Sequence, residues 1–221
     1  MAGNTVHISP FVIKDCALIA IATGKRVQSL KELRNFLQTI DLNCIYYHFW
    51  SDLLRPRFDD KEFHNDFSQW IHRDLHDKIL AEKVNLIDPT EFDTLEDLRL
   101  ALLDVLEERL DELEIPLWAS RDHRFEFIRS QIVIFNTHHT VEKPEEFVTA
   151  IANMSVGSIF YHFIDSRRRT PDAVDDFQNW IREYGEEYHD LSREIGLIDP
   201  YFSTLTELRK YLFNVFKNYF K

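Results

Sequence analysis

Two histidines stand inside otherwise apolar runs, His48 in Ile45-Tyr46-Tyr47-His48-Phe49 and His162 in Ile159-Phe160-Tyr161-His162-Phe163. An imidazole in such a setting needs a partner for each ring nitrogen. With one nitrogen free it can act as a general base or ligate a metal, with Tyr47 or Tyr161 beside it. With both engaged it is a structural pin. The carboxylates placed to engage it are Asp66 and Asp176, each at the start of the next helix. His48, His162, Tyr47, Tyr161, Asp66 and Asp176 are thus the catalytic candidates, and the sequence leaves both roles open.

Other constellations are less specific. His72-x-x-x-His76 would place two imidazoles on one helical face, as zinc sites do. No Glu follows His72 directly, and the corresponding residues later in the chain are Arg182 and Glu186, so the reading is a solvent-facing pair. Glu186-x-x-His189 is half of a di-iron helical motif, which requires a second such motif and two further glutamates. Arg167-Arg168-Arg169 is a dense basic run, either an anion-binding site or a solvated helix end. Five glycines, none clustered, give no phosphate-cradling loop. The expectation is no metal and no cofactor. Phe67 and Trp70, like Phe177 and Trp180, sit at i and i+3 and read as core aromatics.

The elements that must position these groups repeat. The Tyr-His segment recurs after 162 − 48 = 114 residues, and Asp66-Phe67-Ser68-Gln69-Trp70 returns as Asp176-Phe177-Gln178-Asn179-Trp180 after 180 − 70 = 110. Leu86-Ile87-Asp88-Pro89 matches Leu197-Ile198-Asp199-Pro200, and Leu95-x-x-Leu98-Arg99 matches Leu205-x-x-Leu208-Arg209. The same motifs in the same order, with small insertions, mark a tandem duplication. The join falls near Ile115-Pro116, giving a first repeat over residues 1–116 and a second over 117–221.

Each repeat opens with a β-prone stretch, Phe11 to Ala22 or Phe125 to Phe135, read as a short strand or irregular segment. Helices follow: Ser29 and Glu32 form a capping pattern, Pro144 sits at a first helical position, and Thr94 and Thr204 cap the final amphipathic helices. Asn85 and Gly196 are read as left-handed helix ends, after which Leu86 and Leu197 fold back on the helix. The expected fold is mainly α: two tandem pseudo-symmetric helical units, each of about four helices, with a short β-prone segment at the start of each.

At these residues the chain resembles a prokaryotic family catalogued as a domain of unknown function. The resemblance is carried by Thr23-Gly24, Tyr46-Tyr47-His48, Asn65-Asp66-Phe67-x-x-Trp70, Leu80-Ala81-Glu82, Ile87-Asp88 and Leu95-x-x-Leu98-Arg99. In the second set His138 replaces the glycine, Asp175 the asparagine, and Leu191-Ser192-Arg193 the Leu-Ala-Glu. The resemblance implies the fold unit and brings no activity with it.

Composition narrows the partners. Hydrophobic residues make up 44% of the chain, which excludes a disordered polymer. Thirty-eight acidic against 26 basic residues give a net charge of −12, which repels nucleic acid and anionic membranes. Cys16 and Cys44 lack metal or redox spacing, and the opening residues lack the features of a signal peptide, which points to the cytoplasm. The reading is a non-enzymatic protein-binding or regulatory helical module. The alternative is an enzyme or small-ligand binder using the Tyr-His pairs. The partner, protein or small ligand, and the oligomeric state are open.

Overall fold

The computed structural model describes residues 8–54, 62–170, 172–201 and 204–221. Residues 1–7, read above for the want of a signal sequence, lie outside the described set. The β-prone stretches are not short. They form two 17-residue strands, β1 (Phe11–Val27) and β2 (Phe125–Val141), which pair antiparallel as a two-stranded sheet. Each runs on through Thr23–Val27 or Thr137–Val141, where polar residues on the open face hide the pattern from a hydrophobicity reading. The helices are α1 (Leu30–Leu37), α2 (Leu42–Leu54), α3 (Asp66–Asp74), α4 (Lys78–Asn85), α5 (Leu95–Glu112), α6 (Phe147–Asn153), α7 (Val156–Ile159), α8 (Asp176–Arg182), α9 (His189–Gly196) and α10 (Leu205–Tyr219).

The expectation of two tandem units of about four helices is therefore corrected. The chain divides into a central unit, Leu18–Ile132, and a terminal unit made of the chain up to Ala17 with Val133–Lys221. The reason is where the strands pack. Phe125 and Phe127 lie in the central unit among the aromatic rings of α2 and α3, whereas Phe11 lies in the terminal unit among those of α6 and α8. Each set of helices is thus completed by a strand start from the far part of the sequence. A sequence division at residue 116 concerns the repeats and not this partition of contacts.

In the central unit α2 is apolar all round, and its nine residues from Cys44 to Asp52 are buried, as expected of a helix enclosed on every side. The amphipathic helices surround it, α1 burying Leu30, Leu33 and Leu37 and α5 burying Leu98, Leu102, Leu103 and Leu106. Phe125 stacks on Phe67 at 5.1 Å and meets Trp70 edge-on at 5.5 Å. In the terminal unit Phe11 stacks on Phe177 at 5.4 Å and meets Trp180 at 6.0 Å. Burying one such phenyl ring contributes roughly 1.5–3 kcal/mol. Trp70 and Trp180 are core residues whose indole N–H groups donate to His123 O and Ser9 O.

Local capping follows the sequence closely. Ser29 accepts from Glu32 N, Thr94 from Asp97 N and Thr204 from Glu207 N. The helix ends do not. Neither Asn85 nor Gly196 has a positive φ, and Leu86 and Leu197 are 76% and 79% exposed. Both helices finish instead in a right-handed C-cap leucine whose N–H bonds back to the last turn. Asn85 is used through its side chain, which accepts from His64 N at 2.8 Å. At Gly196 a Cβ would lie 2.4 Å from Gln178 Nε2, so the glycine leaves room for the amide that donates to Ser192 O.

Gly24 in β1 and His138 in β2 share a left-handed conformation, φ 72° and 60°. A side chain at Gly24 would meet nothing within 4 Å, so the preference there is one of backbone conformation alone. His138→Gly is expected to stabilise the protein by about 1 kcal/mol, and Gly24→Ala to destabilise it by about the same, in urea unfolding. A His138→Gly variant no more stable than the parent, or a Gly24→Ala variant no less stable, would refute this account.

Candidate functional site

The two Tyr-His motifs and their aspartates come together as matched constellations, one in each unit. His48 lies on α2, and Asp66 is the first residue of α3, whose N-cap Asn65 accepts from Ser68 N. His48 Nδ1 is 2.8 Å from Asp66 Oδ2, and Nε2 accepts a hydrogen bond from the backbone N–H of Ile128 at 3.1 Å. In the terminal unit His162 Nδ1 is 2.8 Å from Asp176 Oδ2, and Nε2 accepts from the N–H of Lys14 at 2.9 Å. Lys14 and Ile128 stand 114 residues apart, the same offset as the histidines.

Because Nε2 accepts a backbone N–H, it carries the lone pair, and Nδ1 carries the proton that is donated to the carboxylate. The ring is a neutral bridge between an aspartate and a strand. Both histidines are 3% exposed, packed against Phe125 and Phe67 in one unit and Phe11 and Phe177 in the other. Neither ring nitrogen is left to receive a substrate proton or a metal. Tyr47 and Tyr161 are buried beside them, each ring meeting the adjacent imidazole edge-on. Burial holds the Tyr161 phenol above its ordinary pKa, against the opposing pull of Arg169.

The two surroundings differ in one respect. His48 sits in a regular helix, whereas Phe160–Ile164 widens into a π-helical turn followed by a 3-10 turn at Asp165–Arg168. Arg169 reaches into this region. Its Nη2 donates to Tyr161 O at 3.0 Å and to Asp176 Oδ2 at 3.1 Å, Nε donates to Asp165, and the guanidinium lies 4.1 Å from the Tyr161 ring centroid. Arg168 also bonds Asp165, and Arg167 donates to Phe163 O. The basic run is therefore engaged with buried Asp165 and with backbone, which gives the three arginines an internal role that sequence reasoning did not foresee.

The remaining candidates are dispersed. His76 lies beyond the end of α3 at φ 57°, so it does not share a helical face with His72. Glu186 and His189 are exposed. The Cys16 thiol is pushed up to about 12 by burial and by Asp165 and Asp15, and that of Cys44 to about 11 by burial and Asp41, so neither is a nucleophile near neutral pH. Among the described residues no three His, Cys, Asp or Glu side chains converge to hold a metal. Sequence reasoning also missed Arg99 and Arg209, which donate to Ile40 O and Met154 O past the ends of α1 and α6.

An antiparallel strand pair whose starts are each pinned by a buried His-Asp bridge to a helical unit defines the class of protein at hand. The chain belongs to DUF5752, a family of unknown function, whose model matches residues 8–217. It is similar to a solved structure described as that of OrfY from Thermoproteus tenax, with 26% identity, 95% of each chain covered and a TM-score of 0.82. Among curated proteins no relative was found.

Asp175, the residue before Asp176, caps α8 by accepting from Gln178 N. It is fully buried, and its Oδ2 has no hydrogen-bond partner among the described residues. The matched Asn65 accepts in the same way and uses its amide to donate to Val84 O. Burial raises the Asp175 pKa from 3.8 to about 7. The folded state therefore keeps a proton that the unfolded state has released, and stability falls as pH rises from about 4 through about 7. Asp175→Asn should remove that slope and stabilise the protein at pH 8 by on the order of 2–4 kcal/mol, outweighing a helix-dipole loss of roughly 0.3–1 kcal/mol. Denaturant titrations at pH 5 and pH 8 decide it, and an unchanged pH dependence in the variant would count against it.

Proposed function

We propose that the protein is a non-enzymatic binding or regulatory module that acts on a protein partner in the cytoplasm, using no cofactor and contacting neither nucleic acid nor membrane. The observation that carries this reading is the closed state of both imidazoles. A general base needs a lone pair turned to its substrate, and a metal ligand needs one turned to the ion. In both units the Nε2 lone pair is taken by a backbone N–H and the Nδ1 proton by a carboxylate. The net charge of −12 supports the exclusion of nucleic acid and anionic lipid. Among the described residues no helix is long and apolar enough to cross a membrane.

The reading includes an origin by duplication, with residues 1–116 and 117–221 as the two repeats. Contacts that recur at the 114-residue offset support it: Thr23 Oγ1 donates to Phe127 O, and Thr137 Oγ1 to Ile13 O. Leu86 and Leu197, matched and exposed, are apolar points on which a partner could rest.

His48→Ala and His162→Ala should each destabilise the fold by about 2–4 kcal/mol, because each leaves a void and a strand N–H without its acceptor, and His48→Ala also strands Asp66. Thermal melts of both variants, with elemental analysis and substrate screening of the parent protein, test this. A stoichiometric metal, or a turnover that vanishes in a variant of unchanged melting temperature, would sink the reading.

A further inference from the structure

The terminal unit contains a cleft of about 820 Å³. Small-molecule sites run from roughly 300 to 1,000 Å³. One wall is strand, with Ile13, Asp15 and Thr137, and the other is α6 and the turn into α7, with Thr149, Asn153 and Ser155. Everything that lines it belongs to one unit.

The central unit explains why the space is there. At the matched positions Phe36 stacks on Phe127 with ring centroids 5.9 Å apart, and Arg129 lies 3.6 Å from Asp41. By the 114-residue offset these four residues correspond to Ala150, Ile13, Asp15 and Ser155. Two phenyl rings have given way to a methyl and a butyl group, and the partners of an exposed ion pair to a carboxylate and a hydroxyl. The volume is vacated and the sign of the charge at its wall is reversed.

The lining has a definite chemistry. Its acidic members are Asp15 and Glu146, His139 is its one basic member, and no lysine or arginine lines the cleft. Asp15 Oδ1 accepts from Cys16 N at 2.7 Å, which fixes the carboxylate, while Oδ2 has no hydrogen-bond partner among the described residues. Gly157 allows that seat, since a Cβ there would lie 2.3 Å from Asp15 Oδ1. Carboxylates without a lysine or arginine counter-cation in the lining, ringed by neutral hydroxyl and amide groups over an apolar floor of Ile13, Val141 and Met154, match an organic cation. A metal ion is a poorer fit, because no three acidic, histidine or cysteine side chains converge here.

We infer that this cleft is a binding site for a small organic cation, a primary ammonium or guanidinium compound with a short aliphatic body. Asp15 receives the cationic head, Glu146 adds to the field at the mouth, and the hydroxyls of Thr149 and Ser155 with the Asn153 amide take the remaining hydrogen bonds. The site is separate from the His162 bridge, and its occupancy does not depend on whether the histidines are structural.

The test is amide NMR titration of the full chain with 1,4-diaminobutane and with agmatine, against 1,4-butanediol and succinate as neutral and anionic counterparts of similar length. The cations should give saturable shifts centred on Thr149, Asn153 and Ser155, and the controls none. Asp15→Asn should weaken binding at least about tenfold, and Ala150→Phe, which restores the ring of the matched position, should abolish it. Thermal melts check that both variants fold, and if Ala150→Phe does not, Asp15→Asn decides alone. The inference is overturned if neither cation shifts these amides by about 10 mM, if the diol or diacid binds as well, or if a folded variant titrates like the parent.

Discussion

A neutral imidazole held between an aspartate and a strand N–H is the interaction on which the rest of this structure depends. In each unit it satisfies three groups at once, the half-buried carboxylate, the buried ring and the backbone amide of Lys14 or Ile128. A buried amide left without a partner costs about 1–3 kcal/mol, so the bridge also selects one strand register over its neighbours. A slip of one residue would turn Phe11 or Phe125 away from the rings it packs against, because side chains alternate across a strand. Hydrogen bond and aromatic packing therefore specify the same alignment.

The sequence carried much of this in plain view. The pairing of His48 with Asp66 and of His162 with Asp176 followed from a polar ring in an apolar helix and an acid at the next helix start. The threonine caps followed from side-chain spacing. What escaped was non-local. Nothing in Phe11–Val27 states that its start packs on helices more than a hundred residues away, because β propensity encodes a strand and not its neighbour. The second ring nitrogen, which separates a pin from a base, is filled by a backbone amide whose side-chain identity is immaterial, so no residue type could have revealed it. The expectation for Asn85 and Gly196 failed for a different reason: both residues do tolerate left-handed backbone, but here one serves through its amide and the other through its lack of a Cβ.

Matched positions also show where the two halves have parted. Gly24 and Asn65 suit the backbone and the burial they meet, whereas His138 and Asp175 hold the same places under strain or without a full set of partners. The second Tyr-His segment is likewise the one with a widened helical turn, and Arg169 supplies a donor to the Tyr161 carbonyl there. At these three places the first half keeps the better-satisfied version, and the second carries the departures together with the open cleft.

The crossing of strand starts has a consequence for synthesis. Phe11, which fills the aromatic pocket beside His162, is synthesised some 165 residues before Phe177 and Trp180. At roughly 5–20 residues per second the nascent strand waits on the order of ten seconds or more for its seat. Leu18–Ile132, by contrast, holds His48, Asp66, Ile128 and Phe125 together within one unit, so the partners of that bridge are all made before the tail. Phe11 thus stays without its stacking partners until α8 has been made.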